Sequence, residues 1–179
     1  LLDIGANKSE SIELAYELQA GSYTRDLLQN FETENFRNKK LQEIIIKYSN
    51  LKDVNSVCVF GIGEAVNWVG FEGVIDEFYG IELSYSRLHF AKQNLLAING
   101  VKSFNLIKGD AAESLFKDNS FDLCISLHSI EPNGDKQGAL MINNIVNSSS
   151  KYVLLFEPDY RTAHEEMKTR MKHNSYTCL

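Results

Sequence analysis

Val57-Cys58-Val59-Phe60-Gly61-Ile62-Gly63 is an apolar run that breaks into a glycine turn. A turn leaving a buried strand bends sharply, and a side chain at Gly61 or Gly63 would obstruct a ligand's approach to the backbone. Glu82 follows Gly63 at the end of a second apolar run, Phe78 to Leu83. A carboxylate about 20 residues after such a turn is placed to accept hydrogen bonds from both hydroxyls of a ribose. Alone, Gly-x-Gly is also an ordinary strand-to-helix turn, and Val66 stands where a dinucleotide fingerprint has its third glycine.

Working outward, apolar runs alternate with helical patterns. Strands are expected at Val57–Phe60, Phe78–Leu83, Phe104–Lys108, Phe121–Leu127 and Lys151–Phe156. Helices are expected in the Glu64 to Phe78 interval, weakened by Gly70 and Gly73, from Ser84 as cap to about Ile98, from Gly138 to Val146, and from Ala163 to Lys172. Leu88, Ala91, Leu95 and Leu96 are expected to face inward. Such alternation predicts a mostly parallel, doubly wound sheet with helices on both faces and ligands at the carboxyl ends of the strands. Two helices are expected to precede it, one from Ser9 as a cap with Ile12, Leu14, Ala15 and Leu18, and one over Glu34–Tyr48 with a stripe of Phe36, Leu41, Ile44, Ile45 and Tyr48. The opening Leu1 to Asn7 looks like a strand and glycine turn, without room for a complete strand. The division expected is a helical extension over 1–56 and a core over 57–179.

Composition limits the function. The chain has 179 residues, 44% hydrophobic and 23% charged, enough for one globular domain. Its net charge of -6 argues against a nucleic-acid partner, because neutralising phosphates takes clustered Lys and Arg. Cys58, Cys124 and Cys178 lack paired metal spacing, and the first two sit in apolar runs. The expectation is a reducing, cytoplasmic setting, with no metal and no membrane span. His164 and His173 lack the i, i+4 spacing of a helical metal pair. Trp68, Tyr79, Tyr85 and Tyr152 are read as core.

Gly80-Ile81-Glu82-Leu83-Ser84 with Leu88, Ala91 and Asn94 resembles the acidic strand and following helix of class I S-adenosylmethionine-dependent methyltransferases. Val57 to Gly63, Gly109-Asp110-Ala111 and Phe121 to Ser126 extend the resemblance, in order, over roughly Val57 to Pro158. It implies a Rossmann-like fold whose two C-terminal strands are expected to be missing, and S-adenosylmethionine as cofactor. By position, the methionine end would lie against Phe60, Gly61 and Gly63, the ribose on Glu82, and the adenine on Asp110 and Ala111 with Leu83 packing near it. Ser126, Leu127 and His128 would border the sulfonium and acceptor, and a lid would contribute Gln19, Gly21 and Tyr23. Two departures stand out: Val59 replaces the family's acid, expected to weaken the organisation of the turn, and Ala65 replaces its third glycine.

Methyl transfer is an in-line displacement, so positioning does much of the work and a base is needed only when the nucleophile carries a proton. His128 is the candidate base with Glu131 orienting it, against the alternatives of a histidine packed on the cofactor and a solvated loop acid. Glu157 is read as an acceptor contact or a cap of the next turn. The expected activity is methylation of an O or N atom of a small molecule. Phe156 to Tyr160 is loosely similar to methyltransferases of bacterial surface-saccharide synthesis, which implies a sugar or nucleotide-sugar acceptor. An NAD-binding oxidoreductase and a catalytically silent cofactor-binding scaffold are the alternatives.

Overall fold

Five apolar runs form five parallel strands in the computed structural model, which describes residues 8–68, 77–97, 103–174 and 176. They are β1 (Ser56–Phe60), β2 (Glu77–Glu82), β3 (Ser103–Lys108), β4 (Phe121–Leu127) and β5 (Ser149–Phe156), in the order β3-β2-β1-β4-β5. The chain runs outward to β3, then crosses back to β4 beside β1. That reversal opens a crevice above β1 and β4, the place where doubly wound sheets bind ligands. Register is set by burial: Val59 lies opposite Gly80 on β2 and Ile125 on β4, and all three strands are central.

Alternate residues of β1 serve opposite faces of the sheet, as the two-residue period of a strand requires. Val57 and Val59 join Phe78, Leu123 and Ile125 in one core, covered by Ile45, Leu88, Ala91 and Leu95. Those four come from α3 (Phe31–Ser49) and α4 (Tyr85–Ala97). Cys58 and Phe60 point the other way, to Met141 and Ile145 of α5 (Gly134–Ser148) and to Phe116 and Phe121. Both thiols are buried, which pushes Cys124 up to about 12 and Cys58 well above the usual range. Val59 is 1% exposed in the first core, so an apolar residue suits the position where the resembled family has an acid.

Several expectations change. Between Glu64 and Trp68 there is a turn and a short 3-10 helix (Val66–Trp68) rather than an α-helix, and Gly70 and Gly73 lie outside the described residues, as do Leu1–Asn7, Ile98 and Cys178. The first helix, α1 (Lys8–Gln19), begins before Ser9, which therefore is not its cap. A helix that was not anticipated, α2 (Ser22–Gln29), follows it. Leu96, Tyr85, Phe36, Ile44 and Tyr48 are exposed, because their helices cover the sheet with narrower stripes than their apolar content implies. Ser84 does cap α4, its Oγ accepting from the Arg87 amide at 3.1 Å. The last helix, α6 (Glu165–His173), is capped by His164, whose Nδ1 accepts from the Met167 amide. No helix among the described residues is long and apolar enough to cross a membrane.

Candidate active site

The strand ends and the helices α1 and α2 enclose a cavity of about 650 Å³, lined by Gly61, Gly63, Glu82, Leu83, Asp110, Ala111, Leu127 and His128 among others. Its floor is the turn after β1. Gly61 and Gly63 have φ of +75° and +59°, a region open to glycine at no steric cost. The Gly61 and Ile62 amides both donate to the Ile81 carbonyl at 2.9 Å, folding the turn back over β2. A Cβ on Gly61 would sit 2.2 Å from Ser129 Cβ, so the backbone here passes directly beneath the loop after β4.

Glu82 is 4% exposed at the end of β2. One carboxylate oxygen accepts from the Gly63 amide and the other from the Ser84 amide, each at 2.9 Å. It thereby locks the glycine turn to the start of α4. Each oxygen keeps a lone pair for a further donor, so a ribose diol fits the group as it stands. At the end of β3, Asp110 accepts from the Ala112 amide through Oδ1 and from the Ser9 hydroxyl through Oδ2 at 2.8 Å.

Sequence reasoning missed Glu64. Lying between Gly63 and Ala65, it is 2% exposed and its carboxylate accepts from the Gly21 amide (2.9 Å), the Thr24 amide (2.7 Å) and the Thr24 hydroxyl (2.6 Å). Gly21 is the N-cap and Thr24 the third residue of α2, so Glu64 satisfies two of the helix's orphan amides from another part of the chain. Asn94 of α4 completes the joint, donating to the Thr24 hydroxyl and the Glu64 carbonyl. No local pattern announces this: the acid reads as one more residue of a polar turn.

α1 is fixed similarly. Ser9, Glu13 and Glu17 recur every four residues and share one face. Ser9 meets Asp110, Glu13 pairs with Lys108 Nζ at 2.7 Å, and Glu17 accepts from the Tyr85 and Ser86 amides at the start of α4. The Ser86 side chain first, and then those two amides, hold the Glu17 carboxyl below the usual range. Ile12, Tyr16 and Gln19, on the adjacent face, line the cavity together with Tyr23. The helix thus lies across the strand ends with one face bound to β3 and α4.

The wall after β4 is built on Glu157. It accepts from the Ser126 hydroxyl (2.5 Å) and from the amides of Ser129, Ile130 and Glu131, and its burial pushes its carboxyl up. It therefore holds the preceding loop rather than capping a following turn. Ser126 is fully buried and turned to Glu157 and Ser129, and Phe60 packs into the second core with its carbonyl on the Ser129 hydroxyl. Neither is among the cavity residues, and nor is Gly21, whose amide is spent on Glu64. His128 has φ +53°, an uncommon conformation for a residue with a side chain and one that recurs at functional sites. Its Nδ1 lies 3.4 Å from Glu131 Oε2, and that carboxylate raises the imidazole above its usual 6.5. Among the described residues no group of three His, Cys, Asp or Glu side chains is placed to hold a metal ion.

Comparisons with known proteins agree with this fold. Residues 58–141 match the family described as a methyltransferase domain. No curated protein matches the sequence. Among solved structures, the magnesium protoporphyrin IX methyltransferase of Synechocystis, solved with bound S-adenosylmethionine, superposes with a TM-score of 0.64 at 13% identity, covering 95% of this chain and 86% of that one. The YcgJ protein of Bacillus subtilis gives 0.54 at 17% identity, over 63% of this chain and 48% of that one, so the chain spans about half its length. A phosphoethanolamine N-methyltransferase of Haemonchus contortus, in complex with phosphomonomethylethanolamine and S-adenosylhomocysteine, gives 0.54 at 18% identity over 70% and 30%. Residues 58–141 therefore carry the match to a methyltransferase domain, within a Rossmann-like fold that solved methyltransferases share.

Proposed function

We propose that the chain is an S-adenosylmethionine-dependent methyltransferase acting on an O or N atom of a small molecule. The observation that carries this reading is the pair of strand-end acids, Glu82 and Asp110, lining one cavity with the Gly61–Gly63 turn. A nucleoside needs an acceptor for its ribose diol and an acceptor for its base amine, and Leu83 and Ala111 beside them offer apolar contact for the ring. When bound, the cofactor supplies an electrophilic methyl group.

The chain's own residues position and protect. α1 and α2 form a lid over the strand ends, and Gln19 and Tyr23 turn toward the cavity from it. Excluding water there strengthens each polar contact inside. His128, beside Leu127 at the end of β4, takes a proton from the acceptor's nucleophile, and Glu131 orients the ring and stabilises its charged form. The acceptor enters past Arg37, Pro158 and Arg170, which line the same cavity. The loose likeness of Phe156–Tyr160 favours a sugar or nucleotide-sugar; Pro158 is the member of that stretch that reaches the cavity.

An oxidoreductase reading is not favoured. Tyr48 and Lys52 have the spacing of a Tyr-x-x-x-Lys catalytic dyad, but they stand at the end of α3 and in the next turn, and neither lines the cavity. Calorimetry with S-adenosylhomocysteine and with NAD separates the readings. Micromolar binding of the former and none of the latter is expected, whereas binding of NAD alone would overturn the proposal.

A further inference from the structure

Arg87 carries a charge where burial disfavours one. It stands in the first turn of α4 and is 8% exposed. Its guanidinium carbon lies 4.4 Å from the ring centre of Tyr16 and 5.0 Å from that of Tyr23. Its Nη2 reaches over the glycine turn, 3.5 Å from where a Cβ on Gly63 would be. All four residues line the cavity. Its Nε is buried without a hydrogen-bond partner. Among the described residues it forms no ion pair, although two buried carboxylates belong to the same cavity wall. The oxygens of Glu64 accept from Gly21 and Thr24 and those of Glu82 from Gly63 and Ser84, and neither carboxylate is paired with Arg87.

A buried guanidinium without an anion is left with its desolvation cost, and two aromatic faces offset only part of it. Cavity-facing and held against two aromatic rings, its planar fork is ready for a partner that the described residues do not provide. That partner is an anion, since the group has only donors to offer. It is a monoanion of planar shape, because Glu64 and Glu82 nearby already outnumber the cation, and a phosphate would add a second negative charge. The Tyr16 phenol, pushed up to about 12 by burial despite the Arg87 charge, stays protonated and able to donate as well.

We propose that Arg87, packed on the rings of Tyr16 of α1 and Tyr23 of α2, is the receptor for a ligand carboxylate inside the cavity. The inference rests on the reading of this cavity as an adenosyl cofactor site. The carboxylate belongs either to the amino-acid end of that cofactor or to the acceptor. Because both rings belong to the proposed lid, the same contact ties ligand binding to lid position.

The test compares the wild type with Arg87→Met, which keeps the length and apolar packing of the side chain, in three titrations. S-adenosylhomocysteine carries the carboxylate, 5′-methylthioadenosine lacks the amino-acid end, and acetate, a planar monoanion, is added to protein saturated with S-adenosylhomocysteine and read by thermal shift. A loss of at least about tenfold for S-adenosylhomocysteine with methylthioadenosine unchanged assigns the carboxylate to the cofactor. Unchanged affinity for both, with acetate stabilising the wild type and not the variant, assigns it to the acceptor. Equal losses for both adenosyl ligands, or no difference in any titration, overturn the proposal. If the wild type binds neither adenosyl ligand, the cofactor reading fails and acetate, added to the free protein, alone decides the role of Arg87. Arg87→Lys, which keeps the charge without the planar fork, is expected to lose less in the same direction, and it carries the test if Arg87→Met does not fold.

Discussion

Replacing Glu64 by Ala is the sharpest probe of how the N-terminal helices are held. The change removes the carboxylate that accepts from the Gly21 amide, the Thr24 amide and the Thr24 hydroxyl. Each bond to a charged acceptor contributes about 1.5–3 kcal/mol, for a gross loss of roughly 4.5–9 kcal/mol. Removing a buried charge returns a desolvation cost of several kcal/mol. The net loss is about 2–4 kcal/mol, and it falls on the joint between α2 and the glycine turn rather than on the sheet. It should therefore appear as local opening. Hydrogen exchange at the Arg25 amide, which donates to the Gly21 carbonyl in the wild type, should speed up by about 30- to 1,000-fold. Amides of β1 and β4 should change far less, while affinity for S-adenosylhomocysteine falls because Gly21 to Tyr23 no longer holds its place. Unchanged exchange in α2, or equal acceleration in α2 and the central strands, would refute the idea that Glu64 fastens the lid to the turn.

Two further outcomes follow from the cavity walls. Gly61→Ala forces a Cβ to 2.2 Å from Ser129 Cβ at a φ of +75°, which costs about 1–2 kcal/mol in backbone strain and displaces the Ser129 hydroxyl from the Phe60 carbonyl. With about 1 kcal/mol for the displaced bond, a loss of about 2–3 kcal/mol is expected in urea unfolding, and an unchanged midpoint would contradict the close approach. Once an acceptor is found, the rate should rise with pH through the raised pKa of His128, because only the neutral imidazole accepts a proton. Glu131→Gln removes the carboxylate that raises it, so the inflection should move to lower pH; an inflection that stays in place would remove Glu131 from that role.

The sheet was legible because central parallel strands are buried on both faces and read as continuous apolar runs, as at Val57–Phe60 and Phe121–Leu127. Glu82 and Asp110 stood out because a polar residue ending an apolar run has few structural reasons to be there. Glu64 and Arg87 did not. A buried charge carries no periodic signal, and Arg87 sits beside the inward-facing Leu88 where pattern alone puts it on a solvated face. α2 was hidden by Gly21, since its N-terminal cap comes from Glu64, 43 residues away in sequence. The helix expected after the glycine turn rested on apolar content rather than caps, and its described part closes as a single 3-10 turn at Trp68.

Val59 raised the concern that the turn lacks an organising acid. The structure supplies that organisation from elsewhere: Glu82 grips the Gly63 amide, Ile81 takes the Gly61 and Ile62 amides, and Glu64 ties the turn to α2. The consequence is that Glu82 has two tasks, one in the fold and one toward a ligand. Its replacement by Ala is expected to disturb both, and Glu82→Gln, which keeps an acceptor for one amide, is the gentler variant.

The central claim is that Glu82 and Asp110 receive the two ends of an adenosine. A crystal structure of the chain with S-adenosylhomocysteine tests it most directly. The account predicts ribose hydroxyls within hydrogen-bond distance of the Glu82 carboxylate, roughly 2.5–3.0 Å, and the adenine amino group within reach of Asp110, with the Ser9 hydroxyl sharing or yielding its oxygen. Ligand density outside the cavity, or an adenosine that lies in it without touching either carboxylate, would contradict the account.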